Sequence, residues 1–366
     1  MSCASTSAAP CYARCELTAS EDNTFLRHTF ICYGVNASVV ILFFTSPIGL
    51  GHASRDAAVA ARLDDVRFVT GGPAAALLEG RGFAVDDVYT PPPFEVKGGR
   101  LARRALWLAR YYRYYKRCKG VAGRIIREYD PDIVVADEDF AALAAAGFSP
   151  KTVSRVLITD ILESRFVGGL AGLVERRMNG AMRRMMDGCD AVIMPQDGPD
   201  RSNLRMVGPI VRDIAEDRHT LRERFGMAGK TVLVTVGGTA AGRFLLDAME
   251  PVAARLRGTA DTSILPGPAL GGDTIHDLHQ RIMAADVVVS LAGRSTMDEA
   301  AAYGTPGVFI PISGHFEQED NAARLGYSHG DVRRLYDIIL ERLAEPRRPR
   351  PAEGARRAAA IIQSLI

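Results

Sequence analysis

The sequence predicts an α/β protein made of two parallel-sheet halves, and three observations point to it. From residue 38 onward, apolar runs of strand length alternate with stretches of helical pattern, the order that builds parallel sheets covered on both faces. Two of these runs, one in each half, lead directly into glycine loops, Thr45–His52 and Gly237–Gly242. Between Asp286 and Ala323 an apolar run, a small-residue turn, a helix and a second apolar run follow one another. That succession is half of a nucleotide-binding unit.

The first half opens with strand Ser38–Phe44, too short to span a bilayer, followed by the glycine loop and helix Ala53–Leu63. Strand Val66–Thr70, a short helix over Pro73–Gly80 and strand Val85–Tyr89 come next. A long helical stretch, Arg100 to Tyr129, precedes strands Asp132–Ala136, Arg155–Asp160 and Ala191–Pro195, with helices over Phe140–Ala146 and Gly169–Asp187 between them. The second half contains helix Leu221–Phe225, strand Thr231–Val236, helix Arg243–Arg257, strand Thr262–Leu265 and helix His276–Ala284. Strand Val287–Leu291 then ends in Ala292-Gly293, a helix opens at Ser295, Gly304-Thr305-Pro306 stops it, and strand Gly307–Ile312 follows. The tail carries a Pro/Arg linker and a final helix, Ala352–Leu365.

At 366 residues the chain accommodates two ordinary α/β domains. The expected division is an extension over 1–35, a first Rossmann-like domain over 36–213, a second over 214–346, and a linker with a terminal helix over 347–366. The extension is rich in Ser, Ala, Thr and Cys without periodicity, and Arg14 and Glu16 break any signal-peptide core. It reads as a disordered segment or a mis-assigned start. A hydrophobic content of 47% with 24% charged residues describes a soluble globular protein. The formal charge of +2 argues against a nucleic-acid binder held by bulk charge. The six cysteines, at 3, 11, 15, 32, 118 and 189, form no zinc spacing. Reduced thiols and a cytoplasmic location are expected.

The chemistry concentrates at the loops. The helix start after Gly293 offers free backbone N–H groups, a positive dipole end and the hydroxyls of Ser295 and Thr296, a combination suited to a diphosphate. Glu299, a turn further in, has the lone pairs to accept from both ribose hydroxyls. In the first half, Gly49 and Gly51 permit a tight turn that places His52 at a helix start on the carboxyl edge of the sheet. Asp137, Glu138 and Asp139 follow a strand at that same edge, as does Asp160. Each is a candidate base, a holder of acceptor hydroxyls or an N-cap of the next helix. Arg55 is placed to pair with phosphate or with an acid.

AGRSTMDEAAAYGTP followed by EQEDNA is similar to the donor-site signature of nucleotide-sugar glycosyltransferases with the GT-B architecture, two Rossmann-like domains facing across a cleft. The family it resembles is glycosyltransferase family 28, which makes the lipid-linked disaccharide of peptidoglycan. The resemblance spans about residues 38–345. It implies that the turn at Gly293 and the hydroxyls hold the donor diphosphate, that Glu299 grips the ribose and that Gln318 touches the transferred sugar. Glu317 stands where the peptidoglycan enzyme has a second Gln, and Asn321 completes the Glu-Gln-x-x-Asn spacing. Gly51 and His52 match the family's amino-terminal glycine loop, and Gly237, Gly238 and Thr239 its second one. Arg212, in VGPIVR, matches a junction Arg that reaches donor phosphate, or is an ordinary surface-loop Arg.

The implied activity is inverting, metal-independent transfer of a hexose or N-acetylhexosamine from a UDP-sugar, such as UDP-N-acetylglucosamine, to an acceptor hydroxyl on a glycan or lipid. No cofactor is implied beyond the UDP-sugar co-substrate. His52 and Asp137 are the catalytic candidates. The second reading is a nucleotide-sugar hydrolase of nonulosonic acid synthesis, with water as acceptor, whose similar loop Gly49 to Arg55, GLGHASR, also matches. A non-catalytic sugar-nucleotide-binding subunit of a membrane transferase is the third reading. The stretch 101–119 carries seven Lys and Arg with Trp107 and four tyrosines, and 176–188 carries Arg and Met. Such helices suit an anionic membrane surface, which implies a peripheral location on the inner face of the cell membrane; the alternative is a solvated face with Tyr and Met turned to the core.

Overall fold

A computed structural model describes residues 39–149, 151–165 and 171–366. The expected extension over 1–35, with Cys3, Cys11, Cys15 and Cys32, lies outside the described residues, as does the first part of the helix expected from Gly169.

The first lobe runs β1 (Ile41–Thr45), α1 (Gly51–Ala60), β2 (Val66–Thr70), α2 (Pro73–Glu79), β3 (Ala84–Asp87), β4 (Val96–Lys97), β5 (Arg100–Leu101) and α3 (Arg104–Tyr129). It continues through β6 (Ile133–Asp137), α4 (Phe140–Ala146), β7 (Ser154–Ile158), α5 (Ala171–Asp187), β8 (Ala191–Met194) and β9 (Leu204–Met206). Seven parallel strands lie in the order β3-β2-β1-β6-β7-β8-β9. Side chains alternate faces along each strand. Ile41 and Phe43 therefore join a core with α1 and α2, and Leu42 and Phe44 one with α3, α4 and α5. Burial on both faces is why these strands read as continuous apolar runs.

The second lobe comprises α6 (Arg218–Arg224), β10 (Thr231–Thr235), α7 (Arg243–Leu256), β11 (Asp261–Leu265), α8 (Leu278–Ala284), β12 (Val287–Leu291), α9 (Arg294–Tyr303), β13 (Gly307–Ile310), α10 (Phe316–Ala323) and α11 (Leu335–Leu343). Its four parallel strands are ordered β11-β10-β12-β13. The terminal helix α12 (Gly354–Gln363) returns to the first lobe, where Ala355, Ala358, Ala359 and Ile362 share the core of Ile41 and Phe43.

Strand order reverses between β1 and β6 in one sheet and between β10 and β12 in the other. At such switch points adjacent loops leave in opposite directions and open a crevice at the carboxyl ends of the strands. The two glycine loops and the Ala292-Gly293 turn all lie there.

Several elements differ from expectation. The helix expected from Arg100 begins at Arg104, because Gly98 and Gly99, both at positive φ, turn a hairpin between β4 and β5. That hairpin crosses to the second lobe: Leu101 N–H donates to Ser313 O at 2.9 Å, and Ser313 N–H to Gly99 O at 2.8 Å. EQEDNA lies in a helix, α10, and α11 and β9 were not expected from periodicity. Packing of α12 has a direct test: Ile362→Ala, a change at a fully buried site, should cost about 2–5 kcal/mol by urea denaturation. A loss below half a kcal/mol would mean that this helix does not dock on the first lobe.

Candidate active site

The loops at the two switch points enclose a cavity of about 280 Å³. Gly51 and His52 line it from the first lobe, and Gly237, Gly238, Thr239, Gly293, Ser295, Thr296, Glu317 and Gln318 from the second. The helices α1 and α9 both point their amino ends into it. No side chain caps either helix, so their first N–H groups remain available to an anion. The lobes touch at the rim. Ser295 Oγ donates to Gly51 O at 3.0 Å, and a Cβ on Gly238 would come within 2.8 Å of Leu50. Glycine at 238 is thus set by close approach of the opposite loop.

Behind this rim lies a buried charge cluster built on register. Thr45 pairs with Asp137 across β1 and β6, and Asp137 with Ile158 across β6 and β7. Asp137 therefore sits at the carboxyl edge, directly beside α1. His52 Nδ1 lies 2.9 Å from Asp137 Oδ1, where Nδ1–H donates to the carboxylate. Arg55 donates from Nε to Asp137 Oδ2 at 2.5 Å and from Nη1 to Asp160 Oδ2 at 2.5 Å, and its Nη2 also bonds Asp137. Burial works to raise the Asp137 carboxyl, but Arg55 and then His52 hold it well below the usual carboxylate range. Burial likewise works to lower His52, and Asp137 and Glu138 outweigh it, bringing the imidazole up to about 9.

Asp137 itself is fully buried and does not line the cavity; its place is behind His52 as an orienting partner. Arg55 is consumed by acids within the fold. The three acids at the end of β6 divide their work. Asp137 holds His52 and Arg55, and Asp139 caps α4 by accepting from Ala141 N and Ala142 N, each at 3.0 Å. Glu138, at a φ of 51°, lines the cavity with Oε2 3.9 Å from His52 Nε2.

Three expected donor contacts are placed differently. Glu299 is buried off the cavity, with Oε1 accepting from Arg212 Nε at 2.6 Å and Oε2 from Arg212 Nη2 at 2.9 Å. Arg212 accordingly faces Glu299 rather than the cavity, because a buried guanidinium requires a carboxylate partner; its Nη1 alone lacks a bond. Asn321 lies behind the turn, its Nδ2 donating to Ala292 O at 3.4 Å. Gln318 lines the cavity but spends Oε1 on Ile312 N at 3.1 Å, which leaves its amide NH₂ to face a ligand.

The opposite wall is apolar, with Trp107 stacked on Phe94 at 4.3 Å and on Tyr111 at 5.0 Å, and with Met178 and Met182. Trp107 thus faces the cavity, not the outer surface of α3, and the hairpin before it was the legible but missed signal. On that outer surface Arg103, Arg104, Arg110, Arg113, Lys116, Arg117 and Tyr112 are exposed, while Tyr114 and Tyr115 pack on the core.

Residues 272–345 match the glycosyltransferase family 28 C-terminal domain. The fold around that matched segment is of the GT-B kind. An uncharacterized glycosyltransferase of Methanopyrus kandleri is 29% identical over 222 residues, 55% of this chain and 63% of that protein. The UDP-N-acetylglucosamine–N-acetylmuramyl-(pentapeptide) pyrophosphoryl-undecaprenol N-acetylglucosamine transferase of Moorella thermoacetica is 28% identical, covering 61% of this chain and 68% of its own. Among solved structures, the glycotransferase of kitacinnamycin superimposes with a TM-score of 0.56 at 17% identity, over 90% of this chain and 99% of its own. The expected GT-B architecture and the family 28 resemblance are therefore found.

Replacing Arg55 by Met leaves Asp137 and Asp160 buried without their cation. The expected cost is about 3–5 kcal/mol of unfolding free energy, read by urea titration at pH 7. A loss under 1 kcal/mol would show that the cluster does not hold α1 to the sheet.

Proposed function

We propose that this protein transfers a hexose or N-acetylhexosamine from a UDP-sugar to an acceptor hydroxyl, with inversion and without a metal ion. The observation that carries the reading is the meeting of both topological switch points on one cavity. It sets the His52–Asp137 pair opposite the amino end of α9. In this reading the donor diphosphate lies against the free N–H groups of α9 and the Gly237–Thr239 loop, where amide dipoles receive the charge that develops on the leaving group. The acceptor oxygen attacks the anomeric carbon from the first lobe as the carbon–oxygen bond to the diphosphate breaks. Its proton passes to Nε2 of His52, while Asp137 holds Nδ1–H and stabilises the imidazolium.

The apolar wall of Trp107, Tyr111 and the methionines supports an acceptor with a sizeable apolar body over water alone, and so transfer over hydrolysis. A lipid-linked acceptor and a peripheral location on the inner membrane face draw support from the first lobe. There Leu106, Leu173 and Val174 are exposed beside the basic residues of α3 and α5. No helix among the described residues is long and apolar enough to cross a membrane, so attachment in this reading is to the surface.

His52→Ala should abolish transfer while UDP still binds by calorimetry; a variant retaining most of its rate removes His52 as base. Because His52 must be neutral to accept a proton and its pKa is raised to about 9, kcat/KM of the wild type should climb with pH and level off near there. A profile already flat from pH 7 would refute the base assignment. Sedimentation with vesicles should show binding that requires anionic lipid and weakens with salt. Arg110, Arg113 and Arg117 changed together to Glu should abolish it, and equal binding to neutral vesicles would remove the electrostatic part of the proposal.

A further inference from the structure

We infer that the cavity receives a substrate carrying a protonated amino group, held between Glu317 of the second lobe and Glu138 and Asp160 of the first. The inference rests on the sugar-transfer reading above and names a chemical class for its substrate.

Three carboxylates line one small space, and their cations are already engaged. Arg55 is forked between Asp137 and Asp160, and Arg294, on the opposite side, lies 3.3 Å from Asp298. His52 is the cation left facing Glu138, at 3.9 Å, among the described residues that line the cavity. The Asp160 side chain is only 9% exposed, and its Oδ1 is buried with no hydrogen-bond partner. A buried carboxylate oxygen in that state lacks a donor that something else must supply. Glu138 is spent on one side, where Oε1 accepts from Asp160 N at 3.1 Å, and its other oxygen stays toward the cavity. Its positive φ is an unusual backbone for a non-glycine residue and belongs to the same edge.

The Glu317 side chain, on the first turn of α10, lines the cavity and makes no hydrogen bond or ion pair among the described residues. Burial, then the charges of Glu138 and Asp160, raise its carboxyl to about 8. The three acids thus share one space and repel one another. An ammonium relieves that repulsion and donates up to three hydrogen bonds. A glutamine at 317, as the family resemblance anticipates, would remove the repulsion and the need for a cation.

The amine can belong to the donor sugar or to the acceptor, and paired compounds separate the two. Binding of UDP-glucosamine and UDP-N-acetylglucosamine to the full chain is compared by calorimetry. Turnover is compared with a free hexosamine and its N-acetyl form as acceptors. The free amine should be preferred by about tenfold or more in one pair, the advantage of a charge-assisted hydrogen bond. In Glu317→Gln that ratio should fall toward unity, and in Glu138→Gln it should shrink. Each ratio is taken within a single protein, so general damage cancels. Equal treatment of both members of both pairs, with UDP still bound, overturns the amine assignment and leaves the transfer reading standing. A wild-type preference that survives both substitutions overturns it equally. Failure to bind UDP at all brings down the transfer reading and this inference with it.

Discussion

The guanidinium of Arg55, buried between Asp137 and Asp160, is the interaction on which the site depends. It joins the first helix to the ends of two adjacent strands, β6 and β7, on one side of the switch point. Removing such a cation leaves like charges buried together, which costs more than the pair itself contributes. Through Asp137 the same fork sets the ring of His52, and through Asp160 it closes on the segment that follows β7. Charge neutralisation and presentation of reactive groups are therefore one arrangement.

A second buried pair, Arg212 with Glu299, sits at the junction of the lobes. Arg212 comes from the segment between the sheets, and Glu299 from the helix whose amino end faces the cavity. Tyr303 Oη adds a bond to Arg212 O at 2.7 Å. The far side of α9 is thus anchored to the interlobe segment while its first turn stays open. The hairpin strapped to Ser313 and the return of α12 add two more crossings between the lobes. These crossings keep the distance between His52 and Gly293 a property of packing rather than of one flexible linker.

Much of the fold was legible because its strands are buried on both faces. Val287–Leu291 and Val66–Thr70 match their expected limits, since a run of apolar β-formers bounded by turns has no competing reading. The hairpin Val96–Leu101 was missed: two-residue strands carry no periodicity, and the Gly98-Gly99 pair inside a basic run was the sole cue. The short helix α10 hid because its charged face dominates its eight residues. Of the candidate site, the glycines, His52, Ser295, Thr296, Glu317 and Gln318 reach the cavity, whereas Asp137, Arg212, Glu299 and Asn321 support it from behind. Residue type identifies a group capable of the chemistry. Whether it faces a ligand depends on which neighbour takes its lone pairs first.

The sequence alone determined the alternation of strands and helices, the places where the backbone needed glycine, and the domain family of the second lobe, because these are set by local periodicity, sterics and short-range spacing. Only tertiary structure decided that Arg55 faces acids from residues 82 and 105 positions away rather than a phosphate, that Arg212 closes on Glu299, and that Glu317 lines one cavity with Glu138 and Asp160. Those outcomes follow from Coulomb energy and desolvation between groups far apart in the chain, and both terms are undefined until the sheets and lobes bring the groups together.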